Sequence, residues 1–212
     1  MALLNHIIVL FSLLATLFFT KTLSQLSVII PFTCIEKIPT PICSSYLYHS
    51  SEGFTAEQIA SYYSVNTSQI KPIKYNTRQD YLVSVPCGCI DVNGTVANFY
   101  DTSYTVQKGD TLANVTTLIY NGQAFDVQYD QQIVVGQIIP IHLVCGCLQS
   151  DSQVVVTYTV QVGDTLSGIA ASLASTVNGI ENLNKQLISN PSFLDVGWVL
   201  FVPMNTTGSR GF

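Results

Sequence analysis

Apolar positions recur along residues 156–204 with two different periods. Residues 158–161 (YTVQ) alternate and are rich in β-formers, which predicts a strand. Gly163 then turns the chain, and Asp164 or Thr165 is placed to cap a helix. Leu166, Ile169, Ala170 and Leu173 follow at the spacing of one helical stripe, and Val177, Ile180, Leu183 and Leu187 outline a second helix. The run WVLFV at 198–202 predicts a closing strand that stops at Pro203. The order is strand, helix, helix, strand.

The same order is written earlier in the chain. A strand at 104–107 precedes a helix carrying Leu112, Val115, Leu118 and Ile119. A second helix is expected somewhere in 123–132, with weak periodicity, and a strand runs from Ile138 to Val144. The two units open on nearly the same words, YTVQKGDTL at 104 and YTVQVGDTL at 158, differing only at Lys108 and Val162. A third unit lies upstream without that phrase. It has a capping-box pattern at Thr55 and Gln58, a short helix expected around Ile70 and Ile73, and a strand from Tyr81 to Val85. Its first strand has to come from residues 46–49. A fixed repeat of this length makes the chain an array of small units.

The pattern changes at the start, where residues 7–19 are almost continuously apolar. That run is too short for a membrane helix and suits the central region of a secretory signal peptide, which predicts residues 1–24 as a leader. No other run is long enough to span a bilayer. N-x-[ST] sequons at Asn66, Asn93, Asn114 and Asn205 fit a secreted, glycosylated surface. Only 10% of residues are charged and the net charge is −5, which excludes nucleic acid as a partner because phosphates demand clustered Lys and Arg. The six cysteines, Cys34, Cys43, Cys87, Cys89, Cys145 and Cys147, form an even set. In an oxidising compartment they read as a disulfide framework with fifteen formal connectivities. The C-G-C pairs do not have the usual zinc spacing, so no metal is expected. Both pairs fall at joints between units, where alternate residues of an extended span offer two thiols on one side. Units this small bury little surface, and such cross-links stabilise them.

YTVQKGDTL and YTVQVGDTL resemble the opening of a LysM module, a βααβ unit that binds N-acetylglucosamine-containing glycans. Three such units separated by C-x-C pairs behind a signal peptide resemble the extracellular region of plant LysM receptor kinases and related LysM receptor proteins. The first unit, the phrase ENLNKQLISNPSFLDVGWVLFVP and the run YNGQAF are most similar to the exopolysaccharide-receptor type. The resemblance implies an α+β fold of three βααβ modules, the first degenerate, held in one body by three disulfides. The corresponding boundaries are 34–89, 102–147 and 156–204, with a polar tail at 205–212. It also implies the pairing Cys34–Cys89, Cys43–Cys147 and Cys87–Cys145. Family receptors continue into a membrane helix and kinase, so a shortened receptor or a soluble secreted form is expected here, with a LysM co-receptor kinase as a partner.

In the family the glycan groove lies between the loop after the first strand and the loop before the last. Carried to module two, these are Lys108, Gly109, Thr111 and Leu112 facing Gln132, Ile133 and Val134. Gly109 also has a turn role, Asp110 and Thr111 a capping role, and Leu112 a core role. Trp198 reads as packing more readily than as a sugar platform. Module two is favoured as the binding module because of its loose polar stretch 123–132, with module one as the alternative for an exopolysaccharide. No catalytic constellation or cofactor motif is evident: His49 and His142 are isolated, and Asp126 and Asp130 lie in the unstructured stretch. The expectation is extracellular glycan recognition without catalysis, with chitin oligomers, lipochitooligosaccharides, peptidoglycan and exopolysaccharide all open as ligands.

Overall fold

The computed structural model describes residues 27–35, 42–51, 53–75, 78–206. The predicted leader, and the tail beyond 206, lie outside the described residues. Module one contributes β1 (Ile42–His49), α1 (Ala56–Tyr62), a 3-10 turn (Thr67–Gln69), β2 (Ile70–Tyr75) and β3 (Arg78–Val92). Module two contributes β4 (Thr95–Thr105), α2 (Leu112–Asn114) running into a π-helical turn (Val115–Ile119), and β5 (Ile138–Val144). Module three contributes β6 (Gln153–Thr159), α3 (Leu166–Ser172), α4 (Val177–Leu183) and β7 (Val199–Asn205).

The strands do not form three separate hairpins. They join in a 7-stranded sheet of order β5-β4-β3-β1-β6-β7, with β2 on the flank of β3. Gly88 is opposite both Ile42 of β1 and Phe99 of β4, so β3 passes from module one directly into the edge of module two. Module three joins through a short parallel pairing, Tyr46 with Val156 and Leu47 with Thr157. Strand β1 is therefore central, and its last residues, Leu47 to His49, are buried on both faces. Leu47 enters the core shared by modules one and two, while its neighbour Tyr48 enters the core of module three. Such a strand carries no apolar–polar alternation, which is why residues 46–49 read so weakly.

Several expected elements differ. Ile70 and Ile73 do not lie on a helix but in β2, paired with Val83 and Asp80. Pro72 cannot donate a helical hydrogen bond and sits without penalty on this flanking strand. The closing strand does not stop at Pro203, which pairs with Val155 inside β7. Both β7 and β5, which contains Pro140, end the sheet path, so neither proline removes a ladder bond from the interior. Residues 123–132 form turns rather than a helix. The helix before them is shortened because Thr116 Oγ1 donates to the Leu112 and Ala113 carbonyls at 2.8 and 3.1 Å. The turn widens, Tyr120 N–H reaches Val115 O, and Leu118 is left exposed instead of on the apolar stripe.

All six cysteines are paired. Cys34 joins Cys89, Cys43 joins Cys147 and Cys87 joins Cys145, the connectivity that the resemblance implies. The bonds run from the N-terminal segment to β3, and from β1 and β3 to the end of β5. The latter two tie module one to the end of module two, while Cys34–Cys89 closes module one on itself.

Candidate functional site

The repeated phrase builds the same device twice. In module two, Asp110 Oδ2 accepts from the Tyr104 hydroxyl at 2.8 Å and from Gln107 N–H at 2.7 Å. In module three, Asp164 Oδ2 accepts from the Tyr158 hydroxyl at 2.8 Å and from Gln161 N–H at 2.8 Å. Gly109 and Gly163 make the turn at φ +93 and +86, a region open to glycine without strain. Thr111 and Thr165 then cap the helices on Asn114 N–H and Gly168 N–H. Leu112 and Leu166 are buried. Burial pushes both tyrosine phenols up, so each stays a donor, and it also raises the carboxyl of Asp164. The phrase is thus a structural lock. Its variable letter is the free one: Lys108 and Val162 are both exposed.

Module one contains a third copy that the sequence hides. Gly53 turns at φ +88, Phe54 N–H bonds back to Ser51 O, and Thr55 caps α1 on Gln58 N–H at 3.3 Å. Phe54 stands where the other modules have aspartate. The missing carboxylate comes from β3 instead: Asp80 accepts from the Tyr48 hydroxyl at 2.6 Å and from Ser51 N–H at 3.0 Å. Tyr48, Ser51, Gly53 and Thr55 therefore match Tyr104, Gln107, Gly109 and Thr111. That spacing is legible in retrospect, but the substitute acid lies far along the chain. Asp80 is fully buried and is held by Arg78 through Nε and Nη2 at 2.7 and 2.8 Å. The hydrogen bond to Asp80 in turn raises Arg78 above its ordinary value. Arg78 also reaches Gln161 of module three, and the Tyr75 hydroxyl donates to Asp164, so the locks of modules one and three are cross-braced.

His49, at the end of β1, is fully buried with Nδ1 3.2 Å from the Tyr63 hydroxyl. Burial lowers its pKa to about 4 from an ordinary 6.5. The native state therefore resists a proton that the unfolded chain takes up below about 6.5. Stability is complete above that value and is lost as pH falls towards 4, by about 3 kcal/mol at 1.4 kcal/mol per unit. Unfolding curves at about pH 7 and about pH 4 should show this loss, and His49→Gln should remove its histidine-dependent part.

The groove residues expected in module two fall in different settings. Lys108, Gly109, Thr111, Gln132 and Val134 are exposed, Ile133 is half-buried against the shared core, and Leu112 is buried. The two loops are adjacent, since Val106 N–H donates to Gln137 O and Gly136 N–H to Val106 O. A cavity of about 300 Å³ does open in this module, but only Leu112 of the expected set lines it; the other walls are Phe125 to Gln128, Gln131 and β5 from Ile138 to His142. In module three the same loop contacts recur as Val160 N–H to Trp198 O and Gly197 N–H to Val160 O. By this register Thr165, Leu166 and Leu194 correspond to Thr111, Leu112 and Ile133. There they line a cavity of about 250 Å³ together with Asp164, Ser167, Val177, Pro191 and Ser192. Trp198 packs edge-on against Phe193 at 6.0 Å and its backbone closes the β6–β7 pair.

Other candidate chemistry is engaged elsewhere. Asp126 receives the Asn93 side-chain amide, and His142 Nδ1 lies 2.8 Å from Asp101. The sulfurs of Cys43, Cys87 and Cys147 lie within 4.8 Å of one another, but each belongs to a disulfide. Among the described residues, no helix is long and apolar enough to cross a membrane.

Comparison with known proteins agrees with this geometry. The LysM domain family matches residues 158–203, nearly all of the third module. The secreted LysM effector ECP6 of Passalora fulva is 32% identical over 49% of this chain and 46% of its own length. LysM domain-containing GPI-anchored protein LYP6 of Oryza sativa is 32% identical over 48% of this chain and 28% of its own. LysM domain-containing GPI-anchored protein 2 of Arabidopsis thaliana is 29% identical over 82% of this chain and 55% of its own. The chain thus spans about half, or less, of the curated relatives it matches. Among solved structures, the LYK3 ectodomain superposes with a TM-score of 0.57 at 19% identity, covering 81% of this chain and 92% of that one. The ectodomain of a receptor-like kinase gives 0.51 at 18%, covering 82% and 93%. Secreted and GPI-anchored relatives and a three-disulfide body place the protein outside the cell. The third module thus matches the LysM domain family, the chain is similar to plant LysM GPI-anchored proteins, and its fold is that of receptor-kinase ectodomains.

Proposed function

We propose that the chain recognises an extracellular glycan rich in N-acetylglucosamine without cleaving it, as the ligand-binding region of a plant immune or symbiotic receptor. The observation that carries this reading is the module-three cavity between the loop after β6 and the loop before β7. It combines the hydroxyls of Thr165 and Ser192 with the apolar walls of Val177, Pro191 and Leu194, which suits the polar edge and apolar face of a sugar. The corresponding loops of module two, Lys108 to Leu112 and Gln132 to Val134, form a second and more open contact surface. Module three takes precedence over module two because its two loops enclose the cavity jointly. The acidic chain attracts no polyanion by charge, so shape and hydrogen bonds set selectivity.

Titration of the mature protein with chitin oligomers tests the reading. Ser192→Trp fills the exposed rim without touching a cap or cysteine, and should lower affinity at least about tenfold, about 1.4 kcal/mol, with an unchanged melting temperature. Ile133→Glu in module two should have the smaller effect. Equal binding by wild type and Ser192→Trp, with loss in Ile133→Glu, would move the site to module two. Shortened sugar products forming in proportion to protein concentration would defeat recognition without cleavage.

A further inference from the structure

The module-two cavity differs from the module-three groove in having a glycosylation sequon on its rim. Asn93, Gly94 and Thr95 form the hairpin between β3 and β4, with φ +49 and +85 at its two central residues. This places the exposed Asn93 at the tip of a tight two-residue turn. Its side chain also lines the cavity, and its Nδ2 donates to Asp126, a residue of the opposite wall. The cavity floor is apolar, from Leu112, Phe125, Ile139 and Ile141, while Gln128, Gln131, Gln137 and His142 supply amide and imidazole groups.

We propose that Asn93 carries an N-linked glycan whose first N-acetylglucosamine units lie in this cavity, so that the protein's own sugar occupies module two. The modification is ordinary secretory chemistry acting on an exposed Asn-Gly-Thr. The donor is a polyprenyl-diphosphate-linked oligosaccharide. Its C1–O bond to the diphosphate breaks, a C1–Nδ2 bond forms, one amide proton leaves and the lipid diphosphate departs. Nδ2 keeps its second hydrogen, so the bond to Asp126 can persist and hold the linkage against the cavity wall. A sugar tethered on the rim has an effective concentration in the millimolar range, which a free oligosaccharide at micromolar concentration does not displace. Module three, whose cavity has no sequon among its lining residues, is then left to take the free ligand.

The proposal rests on the reading that module two accepts such sugars, and its test is separate from ligand titration. The protein is made in a glycosylating host as wild type, as Thr95→Val, which deletes the sequon but keeps Asn93 and a β-branched side chain, and as Ser68→Ala, which deletes only the Asn66 sequon. Peptide mass mapping should find glycan on Asn93 in wild type and Ser68→Ala, and none in Thr95→Val. Amide exchange in residues 125–131 and 138–142 should quicken severalfold in Thr95→Val alone. Chitin-oligomer binding at module three should be unchanged in all of them, with an additional weaker site appearing only in Thr95→Val. An unmodified Asn93 in wild type would overturn the proposal. So would a glycosylated Asn93 with identical exchange in wild type and Thr95→Val, which means a sugar pointing into solvent. Failure of every form to bind chitin oligomers would count against the proposed function and leave the exchange comparison standing.

Discussion

Asp80→Ala should destabilise the protein by about 3 kcal/mol, more than alanine at either aspartate of the repeated phrase. Removing this one carboxylate strands the Tyr48 hydroxyl and the Ser51 N–H and releases Arg78. A buried donor left without a partner costs about 1–3 kcal/mol. The side chain of Arg78 is 38% exposed and can rehydrate, which holds the total at the lower end of the range for a broken buried pair. Among the described residues Asp110 accepts from Tyr104 and Gln107, so Asp110→Ala should cost about 1–2 kcal/mol. Asp164 has the additional Tyr75 contact and should fall between the two. Denaturant unfolding of the three variants gives the order directly. If Asp80→Ala proves no worse than Asp110→Ala, Asp80 is not the substitute for the aspartate that module one lacks.

The second large effect should come from the disulfide between Cys87 and Cys145. Replacing both with alanine should cost about 4 kcal/mol, within the range for a native disulfide. The informative comparison is Cys34–Cys89, whose sequence separation is 55 against 58 for Cys87–Cys145. Loop-closure entropy is then nearly the same for both. Any further loss in the Cys87–Cys145 double variant therefore reports packing, since both of its cysteines are fully buried and Cys34 is only half-buried. A single substitution is a poor test. Cys145→Ala would free Cys87 beside the Cys43–Cys147 bond, whose sulfurs lie within 4.8 Å of it, and invite exchange. Equal losses in the two double variants would leave chain entropy as the whole explanation.

These experiments separate what was legible in the chain from what was not. Module three was legible almost throughout because its information is local. Leu166, Ile169, Ala170 and Leu173 lie on one helix, Thr165 caps that helix three residues ahead, and Asp164 bonds within its own turn. Module two was legible until Thr116 and Thr117 turned their hydroxyls on the backbone of the preceding turn, where a period-based reading sees only a continuing stripe. The groove residues expected in module two lie on adjacent loops, but only Leu112 among them lines a cavity. Whether Thr111, Leu112 and Ile133 enclose a cavity depends on the intervening residues, and in module three α4 supplies Val177 to close it.

By itself the sequence determined the βααβ order of module three, the turn glycines of modules two and three, the helix caps, and the need for an oxidising compartment, all of which follow from spacings of a few residues. Only the tertiary structure decided that the modules share one sheet, because Leu47 to His49 of β1 are buried on both faces and the register to β6 is set by packing rather than by any local period. It alone decided that Asp80, from a different strand, completes the lock of module one, since a carboxylate can satisfy a buried hydroxyl from any place in the chain that folding brings within hydrogen-bonding reach.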